Sequence, residues 1–393
     1  MKTFRIYKVG VIVALLAMIL LSGCANPTTT TTVPNAATTQ APAAPIGATT
    51  QAPVAPSDTQ VSNQPVLIAF AYVGPVSDKG WTYTHDLARK ALEVAFPGKI
   101  KTTFVENMPY SEEASRTLEQ FIADGAKMIF INSEYADFVT NVAQKHPDVV
   151  FLECDGHRTA DNEIWYYVNH WDPTYLIGMA AGLMTKSNKL GYIGSYPVAS
   201  VYTSVNSFEM GARSVNPNAV TKVVLINSWF DPAKANQAAN ALIDDGADFI
   251  MDIMDETAAL QVEEKRGVWG ATWNTDQRAA APTKYVSSVT LDWKDYYISE
   301  VQSFLDGTWT GNRYVILQIG KGVDRDKWGP NVPEDVQSKV DSVRSQLMNG
   351  TLNPFVGPIK DTTGTVRVQE GQKMTDLELY NWNWAVEGVI GLP

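Results

Sequence analysis

The chain has 393 residues, and its 42 Asp and Glu side chains outnumber its 31 Lys and Arg side chains. The formal net charge of −11 at pH 7 argues against nucleic acid and against an anionic membrane surface as the main partner, because both attract basic proteins.

The N-terminus has the layout of a signal peptide. Three basic residues precede an apolar run, Val9 to Leu21, that is shorter than a transmembrane helix requires. The run ends in Leu-Ser-Gly-Cys at residues 21–24, which resembles the bacterial lipobox, where the cysteine is lipidated and becomes the first mature residue. We expect a signal peptide over residues 1–23 and a palmitate-type anchor on Cys24, holding the protein on the outer face of the cytoplasmic membrane. An ordinary cleavage site with an incidental cysteine is the alternative.

Residues 24–64 are rich in Thr, Ala, Pro and Gln, and the sequence ATTQAP occurs there twice, at 37–42 and 48–53. No apolar period occurs in this segment, so it cannot bury enough surface to offset its ordering entropy. We expect a flexible tether. The other cysteine, Cys154, follows an apolar run, which predicts a small buried thiol without an intrachain disulfide.

From Val66 onward, apolar runs of strand length alternate with segments of helical periodicity. This alternation predicts an α/β protein with parallel sheets covered by helices on both faces. The predicted strands are Val66–Val73, Lys101–Val105, Met128–Asn132, Val149–Cys154, Ile164–Val168, Lys189–Ile193, Val220–Ile226, Phe249–Asp252, Trp269–Trp273 and Lys284–Thr290. The predicted helices include Tyr110–Asp124, Ala136–Lys145, Pro173–Thr185, Val201–Asn216, Pro232–Asp244 and Glu256–Lys265.

Two α/β lobes are expected, because roughly 320 residues exceed what one hydrophobic core usually serves. A helix–glycine–strand–loop–helix–strand order occurs twice, around Asp124–Ala126 and again around Asp245–Ala247. The predicted domains are an N-terminal lobe of residues 65–186 and about 291–318, a C-terminal lobe of 187–290, and a segment, 319–393, that packs across both. Two such lobes meeting at the carboxyl ends of their strands form a ligand cleft.

Catalytic motifs are weak in this sequence. Four histidines are scattered without metal-ligand spacing, and neither a nucleophile elbow nor a phosphate-binding loop occurs. The adjacent carboxylates Asp255 and Glu256 point in different directions at a strand-to-helix junction, and Glu256 can instead serve the helix N-terminus. We expect no catalytic residue, no metal and no cofactor. A nucleoside-processing enzyme, which needs an acid–base pair in the cleft, is the alternative from another class.

Polar and aromatic residues gather where predicted strands end. They are Trp81, Asn227, Ser228, Trp229, Asp255, Trp273 and Asn274. Core packing is the alternative role for each aromatic side chain, but Trp81 and Trp229 each lie in a polar loop rather than in an apolar stripe. These two indoles, one from each lobe, form a predicted aromatic clamp for a flat heterocycle, each face contributing ~1–3 kcal/mol.

Several segments together resemble one family. From about Val66 to Lys360 the chain is similar to the basic membrane protein family of substrate-binding lipoproteins, and to its purine-binding branch in particular. The segments are GWTYTHDLARKAL, NSFEMGARSVNP, NSWFDPAKA, DETAALQV and LNPFVGPI. The resemblance implies two Rossmann-like lobes of the periplasmic binding protein type I, an ABC importer permease as partner, and adenine as the ligand.

The resemblance also implies site residues. Trp81 and Trp229 match the positions of two stacking aromatic residues, and Asn206 matches a polar ligand position before the helix SFEMGAR. Asn274 replaces an aspartate that binds ribose hydroxyls in the nucleoside-binding relatives, which favours a bare base. Asp255 can accept hydrogen bonds from a base or cap the helix that begins at Thr257, and both roles stay open.

We therefore expect a monomeric solute-binding lipoprotein that closes on a purine base and delivers it to a membrane importer, with hinge strands near residues 186, 290 and 318. A purine nucleoside or a flavin is the alternative ligand. A receptor that signals ligand occupancy to a membrane partner is a further alternative.

Overall fold

The computed structural model describes residues 64–393. The predicted signal peptide, Cys24 and the predicted tether up to residue 63 lie outside the described residues. Among residues 64–393, no helix is both long and apolar enough to span a bilayer.

The fold alternates strands and helices along the chain. The strands are β1 Val66–Ala71, β2 Ile100–Val105, β3 Ala126–Ile131, β4 Val150–Cys154, β5 Glu163–Val168, β6 Lys189–Gly194, β7 Val220–Leu225, β8 Phe249–Asp252, β9 Trp269–Asn274, β10 Tyr285–Leu291, β11 Tyr314–Leu317, β12 Val323–Arg325, β13 Ile359–Lys360, β14 Val366–Val368 and β15 Val389–Ile390. The helices are α1 Trp81–Ala95, α2 Glu112–Ala123, α3 Asp137–Ala143, α4 Trp171–Met184, α5 Ala199–Val215, α6 Pro232–Asp244, α7 Ala258–Arg266, α8 Lys294–Leu305, α9 Glu334–Met348 and α10 Asp376–Tyr380.

Two large sheets define two lobes. The N-terminal lobe contains a six-stranded sheet with strand order β11-β5-β4-β3-β1-β2, whose pairings are parallel. The C-terminal lobe contains a seven-stranded sheet with order β12-β10-β9-β8-β6-β7-β15, in which β12 runs antiparallel to β10. Most of these strands are buried apolar runs, as strands covered by helices on both faces require.

Small residues place α4 against α5. A Cβ on Gly178 would lie 2.0 Å from the carbonyl oxygen of Phe208, and one on Gly211 would lie 2.0 Å from that of Tyr175, so the two helix backbones touch. Helix α4 also packs against α9 and β12 and therefore lies with the second sheet. The lobe boundary in the structure is thus near Asn169, whereas the sequence pattern predicted it near residue 186.

Within residues 64–393, the chain passes between the two sheets at three places: after β5, after β10, and between β11 and β12. These passages are hydrogen-bonded to one another. Asn169 N donates to Leu317 O at 2.8 Å, and Asp292 N donates to Gly322 O at 2.9 Å. Crossings of this kind between two lobes are where hinge motions take place in other proteins.

The C-terminal residues contact both lobes. Strand β15 extends the second sheet by pairing with β7, and α10 packs against α5. From α10, the Tyr380 hydroxyl donates to the carbonyl oxygen of Gly156 in the N-terminal lobe at 3.0 Å. Cys154, the last residue of β4, is fully buried and has no disulfide partner within the described residues.

Candidate functional site

The loops at the carboxyl ends of the two sheets meet directly. From the C-terminal lobe, the Thr275 hydroxyl donates to Lys79 O at 3.0 Å. An Asp255 carboxylate oxygen accepts from Trp81 N at 3.1 Å. These two bonds join the lobes across the cleft. The structure therefore shows the two lobes closed on each other.

The N-terminus of α1 lies between two carboxylates from different lobes. Asp78 accepts from the backbone N–H groups of Gly80, Thr82 and Tyr83 at 2.8–3.0 Å, and Asp255 accepts from Trp81 N–H. Each bond satisfies a donor that the first turn of a helix leaves free, in the region where the helix dipole favours negative charge. Gly80 is required for this approach, because a Cβ there would lie 2.7 Å from an Asp255 carboxylate oxygen.

Asp255 is tied to its own lobe as well. The Asn274 amide donates to the same carboxylate oxygen at 2.9 Å, and Asp255 N donates to Trp229 O at 3.0 Å. Burial, with the Asp78 carboxylate opposite, raises the pKa of Asp255 to about 7. Glu256 accepts from the Ala258 N–H at the start of α7. The helix that Asp255 caps is therefore α1 of the other lobe and not α7.

Trp81 is half-buried and is held by the N-terminal lobe. Its Nε1–H donates to Asn132 O at 2.6 Å. Its ring contacts His85 and Trp293 edge-on, with centroids 4.9 and 5.6 Å away, and lies 6.2 Å from the ring of Tyr167. This packing orients an indole at the contact between the lobes.

Trp229 lies on the other lobe and is 38% exposed. Its ring centroid is 6.3 Å from that of Tyr196, and the ring contacts described for residues 64–393 do not join it to Trp81. Two indoles that hold a flat ring between them have planes about 7 Å apart. The ring contacts above do not show this arrangement for Trp81 and Trp229, so the aromatic clamp stays a prediction.

The two remaining predicted asparagines lie elsewhere. Asn206 is fully buried in α5, where its amide donates to Trp384 O at 2.8 Å and accepts from Val386 N at 3.0 Å. It therefore holds the C-terminal segment. Asn227 is exposed in a turn after β7, with a left-handed φ of 53°. The structure brings Trp81, Asp255 and Asn274 together but does not bring Asn206 or Asn227 into their hydrogen-bonded group.

A second carboxylate, which the sequence reasoning missed, lies at the end of β4. Asp155 has a left-handed φ of 60°, and burial raises its pKa to about 7. Tyr167 lies between the Asp155 loop and the site around Asp255, because its ring is 6.2 Å from Trp81 and 5.3 Å from Tyr380. A signal existed in the sequence, since Asp155 directly follows a predicted strand, as Asp255 nearly does.

Several buried polar atoms at the strand ends have no hydrogen-bond partner within residues 64–393, and three of them lie close together. These three are His170 Nδ1, Trp273 Nε1 and Asn274 Oδ1. The rings of His170 and Trp273 lie 5.0 Å apart, and Asn274 is the next residue along β9. Buried polar groups are normally satisfied, so these atoms are candidates for contact with a ligand. In the same described range, no group of three or more acidic, histidine or cysteine side chains has an arrangement that could hold a metal ion.

The sequence profile of the family described as ABC transporter substrate-binding protein, PnrA-like, matches residues 65–354. The chain belongs to this family. The resemblance found in the sequence is thereby confirmed. As a PnrA-like substrate-binding protein, the chain binds a small molecule outside the cytoplasm and has the permease of an ABC transporter as its partner.

Two relatives are similar over most of their length. A purine-binding protein of Brucella abortus is 39% identical over 329 residues, which cover 84% of this chain and 94% of that one. A putative ABC transporter glucose-binding protein of Haloferax volcanii is 34% identical over 75% of each chain.

Two solved structures confirm the fold of this PnrA-like protein. A solute-binding protein of an ABC transporter from Aeropyrum pernix matches with a TM-score of 0.64 at 14% identity, over 82% of this chain and all of that one. One from Conexibacter woesei matches with a TM-score of 0.61 at 22% identity, over 73% of this chain and 98% of that one. The predicted pair of Rossmann-like lobes is therefore correct.

Proposed function

We propose that this PnrA-like protein binds a purine base, adenine, between its two lobes and delivers it to the permease of an ABC importer. The observation that carries the proposal is the half-buried Trp81 indole at the contact between the lobes, where the Asp255 carboxylate accepts from Trp81 N, with a second buried carboxylate, Asp155, after the end of β4. A purine-binding relative that is 39% identical supports the same ligand class.

The chemistry of these groups suits a flat, nitrogen-rich ring. An indole stacks on any base because every base has a π-face, and each stacked base gains ~1–3 kcal/mol. An ionised carboxylate accepts from an exocyclic amine or a ring N–H, and the Trp273 Nε1–H can donate to an unprotonated ring nitrogen. Asn274 Oδ1 is a further acceptor, because it has no hydrogen-bond partner within residues 64–393, while the amide nitrogen of the same side chain donates to Asp255.

Lobe closure is the proposed mechanism of capture. Trp81 belongs to the N-terminal lobe, while Asp255 and Trp229 belong to the other lobe. A ligand between them is desolvated on both faces only when the lobes close about the hinge. Trp229 is proposed as the second face of the aromatic clamp.

Other ligands remain to be separated from adenine by experiment. The alternatives are a purine nucleoside, a flavin and, because of the Haloferax relative, glucose. Native mass spectrometry of the protein as purified, followed by equilibrium dialysis with adenine, adenosine, riboflavin and glucose, tests them together. We expect native mass spectrometry to show a retained ligand with the mass of a purine base. In dialysis, we expect the protein to bind adenine more tightly than adenosine. Binding of glucose without binding of any purine would overturn the proposal.

A binding role, rather than catalysis, is proposed for the cleft. Incubation with adenine, adenosine, guanosine and inosine is expected to give no product above buffer controls. Reproducible turnover that disappears in Asp255→Asn would instead identify an enzyme, because that change removes the ionisable group while conserving its shape. The protein is proposed to act as a monomer.

Membrane attachment through Cys24 is proposed from the Leu-Ser-Gly-Cys sequence after the apolar run. Changing Cys24 to Ser is expected to leave an unprocessed precursor without lipid. The measurement is metabolic labelling with palmitate together with the mass of the mature chain. Equal labelling and equal mature mass in Cys24→Ser and the parent would show that the cysteine carries no anchor.

A further inference from the structure

His170 lies where the chain first passes between the two sheets. It is the second residue after β5 and directly precedes α4, which packs with the second sheet. Its ring centroid is 5.7 Å from that of Tyr167, on β5 of the N-terminal lobe, and 5.0 Å from that of Trp273, on β9 of the C-terminal lobe. The interplanar angles of 90° and 65° make both contacts edge-on. The imidazole is therefore held between aromatic rings of both lobes.

The same two rings connect His170 to the groups proposed to bind the ligand. Tyr167 also lies 6.2 Å from Trp81, and Trp273 is followed along β9 by Asn274. The Asn274 amide donates to the carboxylate oxygen that accepts from Trp81 N. These contacts form a closed series that begins and ends at Trp81, and His170 belongs to it.

The Nδ1 atom of His170 is buried and has no hydrogen-bond partner within residues 64–393. The whole residue is 1% exposed, and burial lowers its pKa to about 3. Its imidazole is therefore neutral at pH 7, with one N–H donor and one acceptor nitrogen. A buried nitrogen without a partner destabilises the folded state. A phenylalanine ring could make the same edge-on contacts without that nitrogen, so packing does not account for the imidazole.

The neighbouring unpartnered atoms complement this imidazole. Trp273 Nε1 can only donate a hydrogen bond, and Asn274 Oδ1 can only accept one. A neutral imidazole can do either at Nδ1, because its proton can occupy Nδ1 or Nε2. The edge of a purine base carries both ring nitrogens that accept and N–H groups that donate. The three side chains together therefore match the mixed edge of such a base.

We propose that His170 is a ligand-binding residue whose Nδ1 forms an N–H···N hydrogen bond with a ring nitrogen of the bound purine base. The inference rests on the proposed purine-binding function. It adds to the contacts of the strand ends one contact from the segment that crosses between the lobes.

Nitrogen-15 NMR of the parent protein tests this contact directly. Protein with nitrogen-15 histidine is combined with nitrogen-15 adenine at about pH 8, where the free imidazole is neutral. The His170 signals are identified by their absence in His170→Phe. We expect a coupling through the hydrogen bond between His170 Nδ1 and one ring nitrogen of adenine. Bound adenine without this coupling would overturn the inference.

Affinity gives a second readout. His170→Phe keeps a ring between Tyr167 and Trp273 and removes both nitrogens, whereas His170→Asn keeps a polar atom on Cγ, where Nδ1 is attached. Calorimetry should show adenine binding about tenfold weaker in His170→Phe, and a smaller loss in His170→Asn. His146→Phe is the control, because His146 contacts Glu119 at 2.7 Å on the partly exposed side of the N-terminal lobe, and it should bind as the parent does.

The outcomes separate this inference from the proposed function. Circular dichroism first confirms that each variant is folded. A folded His170→Phe protein with the adenine affinity of the parent would overturn the role of His170 and leave the purine ligand in place. A parent protein that does not bind adenine would contradict the purine ligand and this inference with it.

Discussion

At the scale of single residues, Asp255 links the lobes through one carboxylate oxygen. That oxygen accepts from Trp81 N at 3.1 Å and from the Asn274 amide at 2.9 Å. Two donors on one oxygen leave the second oxygen free for a ligand, since an ionised carboxylate offers about four acceptor positions.

Replacing Asp255 by Asn should weaken adenine binding about tenfold, because the change converts a pure acceptor into a mixed donor and acceptor. Unsubstituted purine, which lacks the exocyclic amine, should lose less affinity. Calorimetry at about pH 8, where the parent carboxylate is ionised, measures both ligands. Asp306→Asn, at an exposed position after α8, is the control, and equal losses for the two ligands would argue against recognition of the amine.

Residue types at strand ends could be predicted from the sequence, but their contacts could not. Trp81 and Asp255 were identified because each follows a predicted strand. Asn206 matched a ligand position by resemblance, yet its amide bonds to Trp384, which lies 178 residues away along the chain. Such a long-range partner leaves no local pattern. Asp155 also follows a predicted strand, but it was missed because none of the segments that carry the family resemblance includes it.

At the scale of elements, the contact between α4 and α5 depends on glycine. Gly178, Gly182 and Gly211 have no room for a Cβ, because a carbonyl oxygen of the facing helix lies within 2.0–2.4 Å of its ideal position. Helix propensity alone would favour alanine at these positions by about 1 kcal/mol.

Gly178→Ala is therefore expected to lower the free energy of unfolding by about 1–3 kcal/mol, as overpacking in a core does. Guanidinium unfolding followed by circular dichroism measures the change. Ser338→Ala, on the exposed face of α9, should leave the midpoint almost unchanged. A midpoint for Gly178→Ala equal to that of the parent would mean that α4 and α5 are farther apart than described.

Long apolar elements were predictable, and short ones were not. The predicted strand Val149–Cys154 corresponds to β4, and the predicted helix Pro232–Asp244 has the bounds of α6. Strands β12 and β15 contain only three and two residues, too few to show an alternating pattern. Their positions depend on pairing with β10 and β7, which is a tertiary property.

At the scale of the whole molecule, closure requires Gly80. Gly80→Ala should hold the lobes apart, because the new Cβ would lie within 3 Å of Asp255. We expect weaker adenine binding and a larger radius of gyration in the presence of adenine, measured by small-angle X-ray scattering. Gly74→Ala is the control, since its Cβ would meet only Thr82 and Asp78 of the same lobe. Equal radii for Gly80→Ala and the parent would contradict closure at this contact.

Buried carboxyl groups should make the protein less stable as the pH rises. Burial raises the pKa of Glu153 to about 8, that of Glu209 to about 7, and that of Glu263 well above its usual range. The folded state therefore binds more protons than the unfolded state, so the free energy of unfolding falls with increasing pH until these groups ionise. Below about pH 6.5, buried His85 and His170 act in the opposite direction, because burial lowers their pKa values.

The melting temperature is expected to fall between about pH 6.5 and pH 8. Glu263→Gln, which removes one of these ionisations, should melt with a smaller fall than the parent. Glu334→Gln, on the exposed first turn of α9, should show the fall of the parent. Differential scanning calorimetry at both pH values measures this, and a melting temperature that rises across the interval would show that the sign is wrong.

Capture of a purine between the two indoles is tested by calorimetry of adenine with the parent and with Trp81→Ala and Trp229→Ala. Trp309→Ala, in a loop after α8, is the control, and circular dichroism confirms folding. A purine held between the two indoles predicts that each clamp variant loses ~1–3 kcal/mol, about one to two decades in Kd, while Trp309→Ala binds as the parent does. Folded Trp81→Ala and Trp229→Ala proteins with the affinity of the parent would show that no purine is held between the two indoles, and the two rings would then belong to the packing of their lobes.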